Sequence, residues 1–280
     1  MTPRSVSAVT KFLNAAVTAA GMLGAGALAG TNDLYVTGYG SFDVSSGYVL
    51  YGARENDEPC YWTYGELSVG YRDWCSLGAS LWQNTDMTTR RKETMRRMNE
   101  WDWAAFCRSG VDVADGWRCA LEAGHFWYVY HGIKPVWRDA YKTSAGLYAI
   151  TALENPFATP YFECYYDYRI CRGAFLQGGL RHAFDLPFGL TLTPDFTVGG
   201  GSRNYVAVSY PPYDGSAGGG VSYVQLAGTL AYWFNAHFGI HLKVAYAVLT
   251  DDYIRHAVDE DGGCLATDFV WGMVGVDVAF

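Results

Sequence analysis

Residues 238–248 read Phe-Gly-Ile-His-Leu-Lys-Val-Ala-Tyr-Ala-Val, with an apolar side chain at every even position and a small, polar or charged one at every odd position. Such alternation places the two sets on opposite faces of a β-strand. The same pattern recurs in residues 190–199, 224–232 and 270–280. A succession of alternating segments of about ten residues is typical of transmembrane β-barrels.

Composition excludes several other classes of protein. Of the 280 residues, 17% are charged and 16% are aromatic, which is the opposite of an intrinsically disordered chain. The mean hydropathy of −0.03 and a single long apolar run argue against a bundle of membrane-spanning helices. The formal net charge of −8 offers no basic field to nucleic acid, so no nucleic-acid partner is expected.

The first 29 residues predict export from the cytoplasm. Arg4 and Lys11 precede an uncharged stretch that ends in the small-residue cleavage site Ala27-Leu28-Ala29. These are the parts of a secretory signal peptide, with an uncleaved membrane anchor as the alternative. We therefore expect a signal peptide at 1–29, cleaved near Ala29, and a barrel domain at 30–280.

The barrel domain divides into about twelve antiparallel strands, which predicts an all-β, up-and-down transmembrane barrel. If the amino end lies in the periplasm, the periplasmic connections are short and most outer connections are long, as in bacterial outer-membrane barrels. Splitting the first strand in two would place the long connections in the periplasm and the short ones outside, so the loop lengths favour twelve strands over thirteen. The predicted strands are 34–54, 59–72, 74–85, 99–111, 117–130, 142–154, 160–169, 171–185, 188–202, 219–234, 236–250 and 267–280.

A soluble β-sandwich would also alternate, but the strand ends carry aromatic residues repeatedly. Trp101, Trp103 and Trp127 are examples. Amphipathic rings at strand ends suit the two membrane–water interfaces. The aromatic residues therefore favour the membrane barrel.

The carboxyl-terminal strand has apolar residues at every second position, Val274, Val276, Val278 and the terminal Phe280. It resembles the last strand of Gram-negative outer-membrane proteins, whose final aromatic residue is recognised by the barrel-assembly machinery. This resemblance implies assembly through the strand that ends in Phe280. It also implies a location in the outer membrane of a Gram-negative-type bacterium, in contact with lipid and lipopolysaccharide.

Three phrases in the middle of the chain resemble porin-like outer-membrane proteins, with TorF-like porins as the nearest family. The resemblance implies a channel or a channel-like barrel. Seven cysteines depart from the pattern, since such barrels seldom carry so many. The phrases are Asn99-Glu100-Trp101-Asp102, Tyr165-Tyr166-Asp167-Tyr168 followed by Arg172-Gly173-Ala174-Phe175, and Gly179-Leu180-Arg181-His182.

Charged residues at the polar positions of the alternating pattern are expected to line the lumen, and acids outnumber bases among them. This excess predicts a mild preference for cations, because rings of carboxylates lower the cost of a passing cation. The expected acids are Asp43, Glu66, Asp102, Glu122, Glu163, Asp167, Asp185, Asp195 and Asp277. The expected bases are Arg72, Arg108, Arg118, Arg181 and Lys243.

Two interpretations of this interior stay open. In the first, the lumen is a pore for passive passage of small hydrophilic solutes. In the second, paired charges and the inward rings of Tyr64, Phe106, Phe126 and Phe175 seal a narrow barrel. The sealed barrel would be a structural or binding protein whose outer loops contact ligands or surfaces.

A basic outer loop at 88–98 stands out in an otherwise acidic protein. Charge-assisted bonds from its five bases would hold lipopolysaccharide phosphates, with a solvated loop as the alternative. The five bases are Arg90, Arg91, Lys92, Arg96 and Arg97.

No metal site, cofactor site or catalytic site is predicted. His237 and His241 are four residues apart, which on a strand is about 13 Å, too far to chelate one metal ion. His125 and His182 could face lipid, as in lipid-modifying barrel enzymes, but neither has an obvious outward-facing serine on an adjacent predicted strand. The pairs Cys107–Cys119 and Cys164–Cys171 flank hairpins, and both disulfides and free thiols stay open. The oligomeric state is open as well.

Overall fold

The computed structural model describes residues 33–50, 53–56, 58–72, 74–87, 95–133, 143–209, 218–255 and 266–280, so the predicted signal peptide lies outside it. Fifteen strands occur in these residues, and twelve of them form the barrel. They are β1 (Leu34–Ser45), β2 (Tyr48–Leu50), β3 (Ala53–Asn56), β4 (Cys60–Tyr71), β5 (Cys75–Asp86), β6 (Met95–Ala114), β7 (Trp117–Ile133), β8 (Thr143–Glu154), β9 (Thr159–Asp167), β10 (Gly173–Arg181), β11 (Phe184–Leu186), β12 (Leu190–Gly201), β13 (Gly220–Trp233), β14 (Phe238–Leu249) and β15 (Asp268–Ala279).

Each barrel strand is hydrogen-bonded to the strands before and after it, in antiparallel order. The ring is completed by the first and last strands, where Tyr39–Ser45 of β1 pairs with Met273–Ala279 of β15. On the opposite side, β10 pairs directly with β12. The sheet therefore has no unpaired edge, which a structure that spans lipid requires. The prediction of a closed, twelve-stranded, up-and-down barrel is confirmed.

The strand boundaries differ from the prediction mainly at the first strand. The predicted strand 34–54 ends at Ser45, and the chain continues into the separate hairpin β2–β3. The Ser45 hydroxyl donates to the carbonyl of Gly47 at 2.7 Å, and such a local bond competes with the ladder and turns the chain. The count of twelve barrel strands is unaffected, because the hairpin is not part of the barrel.

The two ends of the barrel differ in their connections. The end that holds Asp33 and Phe280, called the turn end below, has short connections at 72–74, 115–116, 155–158 and 234–237. Asp115-Gly116 joins β6 to β7, and Gly116 has φ +70°, a conformation that glycine adopts without strain. The opposite end, called the loop end, has the longer connections 87–94, 134–142, 202–219 and 250–267, with 168–172 as a short exception.

A short helix at the loop end, α1 (Arg203–Ser209), folds against the barrel interior. Tyr205 and Val206 of this helix are buried, and the ring of Tyr205 lies 5.2 Å from that of Phe175 on β10. Within the described part of the chain, no helix is both long and apolar enough to cross a membrane.

The outer wall of the barrel is apolar and exposed, whereas the inner wall holds the buried polar groups. Mid-strand residues such as Leu67, Leu147 and Leu226 are about half exposed on the outside. Their strand neighbours Glu66 and Tyr148 are buried on the inside. A continuous apolar belt around a closed barrel matches lipid as the solvent, so the chain is a transmembrane β-barrel of the outer-membrane type.

The belt predicts that stability depends on the depth of an outer-wall substitution. Val244→Arg, at the middle of β14, should lower the free energy of unfolding in lipid vesicles by about 2–4 kcal/mol. Val221→Arg, next to the loop end of β13, should lower it by about 0–1 kcal/mol. Both valines are outward and exposed, and urea titration followed by tryptophan fluorescence measures both. Equal losses at the two sites would contradict the lipid-facing wall.

Candidate functional site

The barrel interior is the candidate site, and thirteen of the fourteen predicted lumen charges lie on the inner side of its wall. Ten of them are buried, Arg108 and Arg118 are half-buried, and Asp185 is exposed at the turn end. The buried ones are Asp43, Glu66, Asp102, Glu122, Glu163, Asp167, Arg181, Asp195, Lys243 and Asp277.

One predicted lumen residue, Arg72, lies elsewhere. It lies in the turn after β4, where its exposed guanidinium pairs with Asp33 at 2.9 Å. The regular strand has already ended there, so the alternation that assigned Arg72 to the lumen no longer applies. Asp185 of β11 lies opposite Thr191, an inward residue of β12, but it is exposed because β11 lies at the turn end.

Further carboxylates and a histidine face the interior, among them Asp86, Glu100, His241 and Glu154 of β8, which lines a cavity near the turn end. Asp86 and Glu100 are completely buried, and His241 is largely buried. Glu100 lies two residues before Asp102, and His241 lies two residues before Lys243, so each is on the same strand face as a predicted lumen residue. The alternation itself could therefore have identified both. Asp86 lies one residue beyond the predicted end of its strand, and only the structure places it on the wall.

Arg108 on β6 links two glutamates across four neighbouring strands. Its Nη1 and Nη2 donate to the two carboxylate oxygens of Glu66, at 2.5 and 2.8 Å, and its Nε donates to Glu122. Tyr64 donates to Glu66 at 2.5 Å, and Tyr148 donates to Glu122 at 2.7 Å. Bidentate, charge-assisted pairs of this kind fix geometry strongly. One guanidinium therefore holds two carboxylates in place on this wall.

A second cluster joins the first and last strands of the barrel. His241 on β14 lies between two carboxylates, with Nε2 at 2.9 Å from Asp43 and Nδ1 at 2.8 Å from Asp277. The hydroxyl of Tyr39 donates to Asp277. A Cβ at Gly275 would lie 2.1 Å from the Asp43 carboxylate, so only glycine permits this approach across β15. An imidazole that donates from both nitrogens carries a positive charge, which suits its two acidic partners.

The remaining wall, from β9 to β13, holds two networks of neutral donors around acids. Gln177 donates to Glu163 at 2.5 Å and accepts from the hydroxyl of Tyr223 at 2.6 Å. Tyr161 donates to Asp195 at 2.9 Å. Tyrosine hydroxyls and an amide satisfy these buried carboxylates, and Arg181, the cross-strand partner of Asp195, adds a buried cation to the same wall.

Asp167 has a structural role at the loop end. One of its oxygens accepts the backbone N–H groups of Arg169, Ile170 and Cys171, at 2.9, 2.8 and 3.2 Å. Its other oxygen accepts the hydroxyls of Tyr128 and Ser144. This carboxylate thus closes the β9–β10 hairpin.

Aromatic side chains of the described residues fill much of the loop-end half of the interior. The indole of Trp62 lies 5.9 Å from that of Trp82 and 6.2 Å from that of Trp271. Phe126 and Tyr165, on neighbouring parts of the wall, are completely buried. The inward rings that the sealed interpretation requires, Tyr64, Phe106, Phe126 and Phe175, are all buried, and Phe126 lies 6.3 Å from Tyr165.

The turn-end half is more open and contains a cavity of about 220 Å³. Its charged lining residues are Arg108, Arg118, Glu122 and Glu154. Arg108 and its partners Glu66 and Glu122, together called the Arg108 cluster, lie at the inner limit of the cavity. Trp74, in the turn between β4 and β5, borders the cavity toward the turn end. A solute entering from the turn end would meet this cavity first.

The basic loop at 88–98 and one of the seven cysteines include residues that the structure does not describe. Arg90, Arg91 and Lys92 of the basic loop lie outside the described residues, and Arg96 and Arg97 fall within β6 without described side chains. The six described cysteines are free thiols, so the pairs Cys107–Cys119 and Cys164–Cys171 are not disulfides in this structure, and Cys264 is outside it.

His125, the histidine considered for lipid chemistry, lies on the outer wall. Its Nε2 is 2.6 Å from the hydroxyl of Tyr168, and its ring centroid is 3.9 Å from that of Trp127. His182 packs against the ring of Phe184, at 4.5 Å. In the described structure, the contacts of both histidines are thus aromatic.

Comparison with solved structures places this chain beside outer-membrane barrels. The NanC porin matches with a TM-score of 0.48 and 12% identity, over 87% of this chain and 99% of that one. The KdgM porin matches with a TM-score of 0.47 and 9% identity, over 88% and 99%. Outer membrane phospholipase A from Escherichia coli matches with a TM-score of 0.44 and 15% identity, over 87% and 92%. At these values the likeness concerns the barrel architecture alone, and no functional conclusion is drawn from it.

No family model and no curated protein matches the chain. The barrel class, which porins share, agrees with the resemblance seen in the sequence. The narrower likeness to TorF-like porins stays a prediction.

The Arg108 cluster predicts a specific pattern of stability changes. Arg108→Leu leaves Glu66 and Glu122 buried without their cation, and should lower the free energy of unfolding by about 3–5 kcal/mol. The triple variant Arg108→Leu, Glu66→Gln, Glu122→Gln should lose less, because no buried charge is left unpaired. Urea titration in vesicles measures both.

The exposed pair of Arg72 and Asp33 supplies the control for this measurement. Arg72→Leu should change stability by less than about 1 kcal/mol, since exposed ion pairs contribute little. A triple variant as unstable as Arg108→Leu would show that the charges of the cluster do not govern its contribution.

Proposed function

We propose that this protein is a porin-like channel of the outer membrane of a Gram-negative-type bacterium, which passes small hydrophilic solutes passively and prefers cations. The observation that carries the proposal is the charge of the interior within a closed, lipid-facing barrel. Among the buried side chains that the structure describes, ten are carboxylates and two are arginine or lysine. A wall with this excess attracts cations and repels anions.

In this proposal, the turn-end half and the loop-end half of the barrel have different roles. The cavity at the turn end, with its charged lining, receives solutes. The packed rings at the loop end, together with Tyr205 and Val206 of α1, form the part that must rearrange before a solute passes. The channel is therefore proposed to be gated at the loop end.

The packed rings also support a second candidate function, a non-conducting barrel that serves as a scaffold for binding at its loop end. In that case the interior networks would stabilise the barrel, and the basic loop at 88–98 would bind lipopolysaccharide phosphates. A lipid-modifying enzyme has less support, because the described contacts of His125 are Tyr168 and Trp127 and include no serine or cysteine nucleophile.

Planar-bilayer recording of the folded protein separates the two candidates. The channel predicts discrete conductance steps and, in a KCl gradient, a zero-current potential of the sign expected for cation preference. Persistent silence of correctly folded protein would favour the non-conducting barrel. An anion-selective current would contradict the proposed role of the carboxylates.

A matched pair of substitutions tests which acids set this preference. Asp102→Asn removes a charge from the inner wall and should shift the zero-current potential toward zero. Asp115→Asn removes a charge from the exposed turn between β6 and β7 and should leave the potential unchanged. Equal effects of the two variants would show that surface charge, and not the lumen wall, governs selectivity.

A further inference from the structure

The turn-end cavity has room because three neighbouring positions of the inner wall hold small residues. Gly110 pairs with Ala120 across β6 and β7, and Ala120 pairs with Ala152 across β7 and β8. These residues have no atoms beyond Cβ, so the wall recedes where they meet. The side chain of Ile150 adds apolar surface to the lining. The cavity therefore combines room with apolar contact area.

Charged rows lie on either side of the small residues. The inner row holds the cross-strand partners Arg108 and Glu122. The row nearer the turn end holds the cross-strand partners Arg118 and Glu154. Each row contains one base and one acid, so the net charge at the cavity depends on the ionised groups that surround the two rows.

Those surrounding groups are mostly acids. Glu66 pairs with Arg108, and Asp112 pairs with Arg118. Arg181 interacts electrostatically with Glu154, and it has the same kind of interaction with Asp195 and Glu163. The rows and these neighbours together contain three arginines and six carboxylates. The cavity therefore lies in a negative field, which attracts cations.

The oxygens of the two inner glutamates already accept hydrogen bonds. Both oxygens of Glu66 accept from Arg108, and one of them also accepts from Tyr64 at 2.5 Å. One oxygen of Glu122 accepts from Arg108, and the other accepts from Tyr148 at 2.7 Å. A cation with N–H groups would have to share these oxygens with the donors already in place. A cation without N–H groups needs no acceptor, and it still gains from the negative field.

Two aromatic residues, Tyr35 and Trp74, also line the cavity. Tyr35 pairs with Gly70 across β1 and β4, and a Cβ at Gly70 would collide with the ring of Tyr35. The ring of Trp74 has the guanidinium of Arg72 at 5.9 Å from its centroid, and Arg72 is itself paired with Asp33. Tryptophan and tyrosine rings attract cations through their faces, and quaternary ammonium ions are typical ligands of such rings.

We propose that this cavity binds a small trimethylammonium cation, in which methyl groups replace every N–H. The excess of carboxylates attracts the charge, and the rings of Tyr35 and Trp74 contact the methyl groups. The surface of Ile150 and Ala152 contacts the rest of the molecule. The proposal rests on the cation-preferring channel proposed above, for which it names the class of solute.

Three probes that differ in one property each test this assignment. Choline carries the trimethylammonium group, 3,3-dimethylbutan-1-ol has the same shape without the charge, and ethanolamine has the charge without the methyl groups. Calorimetric titration of the folded protein in detergent should show choline binding at least about tenfold tighter than either analogue. Equally tight binding of the neutral alcohol would overturn the role of the carboxylates. Equally tight binding of ethanolamine would overturn the selection of methylated cations.

Substitutions locate the site. Trp74→Leu should weaken choline binding by about tenfold and leave ethanolamine binding unchanged, because only choline depends on the ring. Its control is Phe234→Leu, which removes another exposed ring from a turn-end connection and should have no effect.

Filling the cavity gives a second, independent location. Ala152→Leu should abolish choline binding, whereas Ala149→Leu adds the same atoms to the exposed outer side of the same strand and should have no effect. Unchanged choline affinity in Trp74→Leu would place the binding elsewhere and overturn the proposal, even if Ala152→Leu failed to fold.

Calorimetry and conductance separate this inference from the channel on which it rests. A protein that conducts ions but does not bind choline would overturn the trimethylammonium site and leave the channel intact. A protein that binds choline as described but never conducts would support the site and overturn the channel.

Discussion

The structure depends on one constraint, that every backbone N–H and C=O group at membrane depth needs a partner within the protein. Lipid offers no hydrogen bonds, so a sheet can cross it only when it closes on itself. The pairing of β1 with β15 meets this requirement, and it places the first and last strands of the chain side by side. The apolar outer wall and the polar inner wall follow, because alternation assigns successive residues to opposite faces.

Closure confines many carboxylates in a narrow space, and the interior shows how they are held. Arg108 forms ion pairs with two acids that lie close together, Glu66 and Glu122. Where the first and last strands pair, His241 contacts Asp43, and Gly275 leaves space for this contact. On the wall from β9 to β13, tyrosine hydroxyls and the Gln177 amide donate to Glu163 and Asp195, and Arg181 lies opposite Asp195. The high tyrosine content of the chain, 22 residues, thus has an interior role as well as an interfacial one.

The two halves of the interior have different physical characters, and this difference underlies the proposed gating at the loop end. Rings pack tightly at the loop end, where α1 adds Tyr205 to the cluster. At the turn end the small residues Gly110, Ala120 and Ala152 leave room between two charged rows. A channel with one packed end and one receptive end would admit solutes from the turn side and control their passage from the loop side.

The sequence by itself determined the class of fold, the number of barrel strands and the face on which most charged residues lie. It could do so because these properties depend on alternation within single strands, as in residues 238–248. Alternation stops where a strand ends, so it misplaced Arg72. Only the tertiary structure decided which charges meet, as Arg108 meets Glu66 from 42 residues away, and where the interior has room. Partners of this kind depend on the registers of several strand pairs at once, and no single segment of sequence contains that information.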